Sequence, residues 1–433
     1  MPPNNPPPSN SQYYTQMLLF IKQTLGMIFS LLRWLVVQFW RLLKRVYQFL
    51  RRQKTDKIIA IIVLLLSVGI LLGNYVFRGS YNFEGSVIAK EISFEYTGNS
   101  EKLFFDQIQG IQNLQIEGKQ PEALVFTGKF SSKSDPTLNE KLIQMDSLTM
   151  EFPNSTSTLM ITPTQFVNNQ LSILELRLFP ESQVSNLTYE SKEAQLSLCL
   201  LDANLLSKTC LSSQGLPETK KTKQIGNLRV KLGEEKLQFN LAGVNIPELD
   251  IRSDDDYDEE LSLELESIID DITFTLLTPT ELTIKLPNPA KSQKDDLDEW
   301  IWRDLDVSKV NFTRLENTGN VKDQIEISTI ISGKVRMNTQ VMELQPEQFL
   351  IIPSKQPGIR KLRSVSINSK SSQGLQTLFS GESQSIAVGL YPEFPVQTIK
   401  PSWLSKYLSP EAVSALLAFF AALTGVLLPR LFS

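Results

Sequence analysis

The chain has 433 residues, 41% of them apolar, with 43 basic and 47 acidic side chains and no histidine. Histidine is the commonest metal ligand and the side chain best matched to proton transfer near neutral pH. Its absence excludes Ser-His-Asp and Cys-His nucleophile systems, the HExxH motif and every His-bearing zinc site.

Charge is divided along the chain. Residues 1–57 carry nine Lys/Arg and one acid, whereas residues 79–410 carry 32 basic and 45 acidic side chains, a net −13. A negative segment of this size disfavours nucleic acid as a partner.

Residues 1–15 are rich in Pro and Asn and are expected to be a disordered tail. Residues 16–54 read as a basic amphipathic helix. At helical periodicity Lys22, Arg33, Arg41, Lys44, Arg45 and Arg51 fall in one arc, and Leu25, Ile28, Leu32, Leu35, Phe39, Leu43, Val46 and Leu50 in the opposite one. This pattern suits a helix lying in a membrane interface with its cations toward anionic lipid. Holding Lys22 and Arg33 deep in the bilayer would cost ~5–7 kcal/mol on insertion scales. Pairing of this helix with a partner helix stays open.

Residues 57–77 contain Ile58 to Val76, 19 nearly uncharged residues. A bilayer core about 30 Å thick needs ~20 apolar residues in a helix, so this is the first expected transmembrane helix. The second is 410–429, where Ala412 to Leu428 supplies 17 uncharged residues behind the helix-start sequence Ser409-Pro410-Glu411. The basic flank before the first span places both termini in the cytoplasm and residues 79–410 outside. A span starting this far from the N-terminus reads as an uncleaved anchor. Tyr75, Tyr81, Trp403 and Tyr407 are expected to anchor at the outer interface. Gly69 and Gly73 form a GxxxG, and Ala418/Ala422 and Ala421/Gly425 are further pairs of small residues four apart. Such faces permit close helix packing, between the two spans or within an oligomer.

The segment between the spans reads as antiparallel β, a sandwich or an elongated sheet stack, in two modules, 78–215 and 222–408, with a linker near 211–226. Expected strands include Glu91 to Tyr96, Ser147 to Phe152, Ile173 to Phe179, Ile272 to Leu276, Leu282 to Leu286, Ile325 to Ile331, Lys334 to Met342, Val365 to Asn368, Leu375 to Phe379 and Ser385 to Gly389. A hairpin is expected to join Leu228–Val230 to Leu237–Leu241 around Gly233-Glu234-Glu235. Cys199 and Cys210 flank another expected hairpin, and an extracytoplasmic compartment permits a disulfide between them.

The chemistry left open is narrow. Phosphate-loop, dinucleotide-binding and Cys-x-x-Cys motifs are absent. Asp254 to Glu260 places six carboxylates in seven residues, but Glu259 and Leu265 occupy the positions where an EF-hand needs Gly and Glu, leaving at most a loose calcium site. Asp295 to Asp306 places six acids around Trp300 and Trp302 with helical character. No residue stands out as catalytic, cofactor-binding or metal-ligating. The reading is a non-enzymatic scaffold or structural subunit of a bacterial cell-envelope assembly, with a septal or cell–cell junction as one setting. Its partners would be the lipid bilayer, other envelope proteins and further copies of itself. The alternatives are an accessory subunit of envelope lipid or solute transport and a carboxylate-dependent glycan enzyme.

Overall fold

The computed structural model describes residues 55–76, 79–132, 135–165, 171–204, 223–253, 261–287, 304–317, 324–353, 357–367 and 374–432. The expected tail, the basic helix of residues 16–54, most of the 211–226 linker and the acidic stretch 254–260 lie outside these residues. So do residues 295–303 of the second acidic stretch. The chain divides into two units, Met1–Phe77 with Leu408–Ser433, and Arg78–Tyr407.

Three α-helices form, α1 (Thr55–Val76), α2 (Pro136–Leu142) and α3 (Pro410–Phe432). In the first unit α1 and α3 pack on one another. The covered side of α3 carries Val413, Leu416, Leu417, Phe420, Leu423, Thr424 and Leu427. Positions 413, 417, 420, 424 and 427 alternate four and three apart, which is the seam spacing of paired helices. Two hydroxyls enter this seam and bond to their own helices. Ser67, fully buried, donates to the Val63 carbonyl at 2.8 Å, and Thr424 donates to the Phe420 carbonyl at 2.7 Å. A donor bonded four residues back leaves no unpaired polar group in an apolar helix. The Val413 amide donates to the Ser409 carbonyl at 2.9 Å, so α3 starts where Ser409-Pro410 predicts. Among the described residues one helical stretch, Glu411–Pro429, is long and apolar enough to cross a membrane; the apolar part of α1, Ile61–Gly73, is shorter.

The second unit is mainly β. Its first strands are β1 (Tyr81–Ala89), β2 (Glu91–Tyr96), β3 (Lys102–Ile108), β4 (Asn113–Gly118), β5 (Leu124–Ser132), β6 (Ser147–Met150), β7 (Thr158–Pro163) and β8 (Ser172–Leu178). Then come β9 (Ser182–Glu190), β10 (Gln195–Asp202), β11 (Gln224–Lys231), β12 (Leu237–Ala242), β13 (Leu261–Ser267), β14 (Asp271–Leu277), β15 (Thr280–Lys285) and β16 (Leu305–Asn311). The last are β17 (Thr313–Asn317), β18 (Gln324–Ser328), β19 (Ile330–Met337), β20 (Gln340–Leu344), β21 (Phe349–Ile351), β22 (Gly358–Ile367), β23 (Leu375–Ser383), β24 (Ile386–Tyr391) and β25 (Phe394–Ile399).

Sixteen strands join one sheet in the order β20-β19-β1-β23-β22-β16-β2-β9-β10-β15-β4-β7-β12-β13-β5-β6. A second sheet, β14-β11-β8-β3, and a third, β21-β24-β25, complete the layers, beside the ribbon β17-β18. Alternation sets the faces: β2, β4 and β7 each bury every second residue. Phe94 of the long sheet meets Phe104 of the second sheet edge-on, with centroids 5.7 Å apart, and both belong to one continuous apolar core. This sandwich arrangement agrees with the expected antiparallel β class.

Two expectations about connectivity differ from what forms. Strands on either side of the 211–226 segment share sheets: β10 pairs with β15, β11 with β8 and β12 with β7. Residues 78–215 and 222–408 therefore build their sheets jointly. The stretch around Gly233 is a crossover, because β11 joins the second sheet while β12 joins the long one. Leu232 and Gly233 are buried where the chain passes between layers, with Gly233 at φ 78°. Equal alternation in the flanking strands hides such a change of sheet.

Candidate functional site

The chain enters and leaves the β unit at one place. Tyr81 opens β1, which lies between β19 and β23, and is buried. Its hydroxyl donates to the Ser402 carbonyl at 2.6 Å, and the Ser405 hydroxyl donates to the same oxygen at 2.6 Å. Asn338 Nδ2 donates to the Ser405 carbonyl at 2.9 Å. Asn338 and Thr339 form the two-residue turn between β19 and β20, and Asn338 takes φ 55°, a left-handed conformation that Asn tolerates. Residues Trp403–Lys406 form one 3-10 turn over this cluster. Tyr81, expected as an interfacial anchor, is instead a buried clasp between the two ends. Tyr407, by contrast, is 73% exposed.

The helix-packing candidates lie mostly away from the α1–α3 seam. Ala418, Ala422 and Gly425 are exposed, and neither Gly69 nor Gly425 has an atom within 4 Å of where a Cβ would stand. Gly73 is half-buried. The seam is built from larger side chains, so the close approach that small residues allow is not used there. Lys22, Arg33, Arg41, Lys44, Arg45 and Arg51 lie outside the described residues. Cys199 is disulfide-bonded and buried on β10, opposite Ser185 of β9 and Glu281 of β15. Cys210, the chain's other cysteine, lies outside the described residues.

Two acids have raised pKa values on strand surfaces. Burial raises that of Glu117, and the Glu281 carboxylate raises it further. Burial raises that of Glu91, partly offset by Arg314. The glycan-enzyme reading needs two carboxylates facing across a cleft; Glu117 and Glu281 face each other on the outer surface of the long sheet. Among the described residues no group of three or more Cys, Asp or Glu is arranged to hold a metal.

An apolar edge also forms. Leu390, Tyr391, Phe394 and Val396 of the β24–β25 hairpin are all more than half exposed, and the Tyr391 and Phe394 rings meet edge-on at 6.5 Å. Pro395 within β25 removes a donor from this edge, which limits pairing with another strand.

No protein-family model, curated protein or solved structure matches the chain.

Proposed function

We propose that this chain is a membrane-anchored scaffold of the cell envelope, holding a β unit close to the bilayer by two helices. The observation that supports this is the Tyr81–Ser402 hydrogen bond. It fixes the beginning and end of the β unit side by side, five residues after α1 and eight residues before α3. Two anchors leaving from one point restrict how far the β unit can travel from the bilayer. Its broad, polar sheet surface is then presented to neighbouring envelope components. The charge division between residues 1–57 and 79–410 supports cytoplasmic termini and an extracytoplasmic β unit. The helix faces turned away from the α1–α3 seam leave room for further copies.

Membrane fractionation and topology mapping test this reading. The full chain, tagged at both termini, should stay in the pellet after alkaline carbonate washing. In spheroplasts, external protease should degrade the β unit and spare both tags. Release by carbonate, or a tag digested together with the β unit, overturns the proposal. Purification in mild detergent should then recover other envelope proteins with the chain; recovery of the chain alone overturns the scaffold role.

A further inference from the structure

The long sheet ends at β6, and among the described residues no further strand joins its outer edge. An edge strand turns alternate amides and carbonyls away from its neighbour, where they are open to pairing with another chain. Thr149 and Glu151 stand at two such positions, and both are occupied from within the chain. The Glu151 amide and carbonyl bond to Asn245, each at 2.9 Å. The Thr149 amide donates to Glu248 Oε1 at 3.1 Å. Glu248 lies on the 3-10 turn Pro247–Leu249, in a loop that closes on itself where Ile246 and Ile251 exchange backbone hydrogen bonds of 3.0 and 3.2 Å. Ile246 and Leu249 are buried and hold this loop on the core. The second carboxylate oxygen, Glu248 Oε2, is buried without a hydrogen-bond partner. Such an oxygen is a cost to the fold. An apolar side chain at this half-buried position would avoid the cost but leave the Thr149 amide open.

We infer that Glu248 is an autoinhibitory contact that keeps β6 from pairing with β6 of a second copy of this chain. An antiparallel edge-to-edge pair about a two-fold axis through Leu148 sets Ser147 of each copy opposite Thr149 of the other. Each of these two residue pairs exchanges both backbone hydrogen bonds, which makes four bonds. Glu248 takes the Thr149 donor in each copy, so two of the four cannot form while it is in place. The strand itself, Ser147-Leu148-Thr149-Met150, carries no charge, so nothing on it repels a second copy. The guard therefore rests on the one carboxylate that faces the edge. None of this depends on the scaffold reading.

Sedimentation velocity of the full chain in detergent micelles, unaltered and with Glu248→Ala, tests the inference. Glu248→Ala should self-associate about tenfold more tightly than the unaltered chain, with near-ultraviolet circular dichroism unchanged. Adding Thr149→Pro should cancel that gain, because proline has no amide to donate and is tolerated on a strand edge that faces solvent. Hydrogen exchange in the unaltered chain gives a reading that survives a variant's failure to fold. The Thr149 amide should exchange at least about tenfold more slowly than the Ser147 amide, which no side chain covers. Three results would overturn the inference: equal association of the unaltered chain and folded Glu248→Ala, a gain that persists when Thr149→Pro is added, or a Thr149 amide that exchanges as fast as that of Ser147.

Discussion

Glu117 of β4 and Glu281 of β15 stand directly opposite each other on neighbouring antiparallel strands. Partial burial and the facing carboxylate raise the Glu117 pKa above its ordinary value of 4.5. A carboxyl with a raised pKa in the folded chain binds its proton more readily there than when unfolded. The folded state is favoured most below the ordinary pKa, and that advantage disappears as pH rises through the raised value. At neutral pH the pair is therefore a cost, and Glu281→Gln should stabilise the β unit. Like charges directly opposite cost roughly 0.2–1 kcal/mol, and both groups are exposed enough for solvent to hold the gain near the lower end. Denaturant midpoints should show the gain at pH 7 and its disappearance below about pH 4, where protonated Glu117 no longer repels its neighbour. An equal gain at both pH values would show that repulsion is not its origin.

The Tyr81 clasp gives a second test. Tyr81→Phe keeps the buried ring and deletes the donor to the Ser402 carbonyl. That carbonyl keeps the Ser405 hydroxyl and amide as donors, so the loss should be about 1 kcal/mol or less. Hydrogen exchange should localise it. The amides of Ser405 and Tyr407, which close the 3-10 turn onto Ser402 and Leu404, should exchange faster, while amides of β4 and β7 stay unchanged. Uniform acceleration throughout the β unit would mean that Tyr81 acts through the core instead of through the clasp.

The sheet class was legible because β2 and β14 alternate apolar and polar residues over six positions and β8 over five. Glu91 to Tyr96 forms as read. Pairing partners were not legible, since every antiparallel strand with one buried face carries the same alternation. Lys334 to Met342 illustrates this. It reads as one strand but folds back at Asn338-Thr339, a turn carried by the left-handed backbone of one Asn rather than by Gly or Pro. Tyr81 was conspicuous as an aromatic beside an apolar span, but the burial that changes its role depends on contacts 321 residues away.

Gly381 of β23 pairs with Phe83 of β1 and Ile359 of β22. A Cβ at this position would stand 2.2 Å from the Gly358 carbonyl oxygen and 2.6 Å from the Phe83 ring. Backbone cannot yield as a flexible side chain does, so Gly381→Ala should force β22 and β23 apart locally. Overpacking of this kind costs about 1–3 kcal/mol. Gly358→Ala provides the contrast. Its Cβ meets open space, and its cost comes from its left-handed φ of 70° alone, roughly 1 kcal/mol. Denaturant unfolding should rank Gly381→Ala as the more damaging change, and the reverse order would show that the strands accommodate a methyl group at this contact.

The α1–α3 seam makes the last prediction. Phe420 lies on the covered side of α3, four residues before Thr424, which bonds back to the Phe420 carbonyl. Ala418 lies on the exposed side. In lipid or detergent, helix association depends on van der Waals contact more than on removal of apolar surface from water. Phe420→Ala should therefore loosen the pair, by about 1–2 kcal/mol on the scale of lost packing contacts. Ala418→Leu should leave the pair intact because it adds bulk where α1 is absent. Unfolding of the full chain by denaturing detergent, followed by helical circular dichroism, distinguishes them: the midpoint should fall for Phe420→Ala and hold for Ala418→Leu. Ala418→Leu then serves a second purpose. If further copies pack on the exposed small-residue face, the same substitution should reduce crosslinked oligomers in the membrane while sparing the α1–α3 pair. A midpoint that falls for Ala418→Leu and holds for Phe420→Ala would mean that the helices meet through their small residues after all.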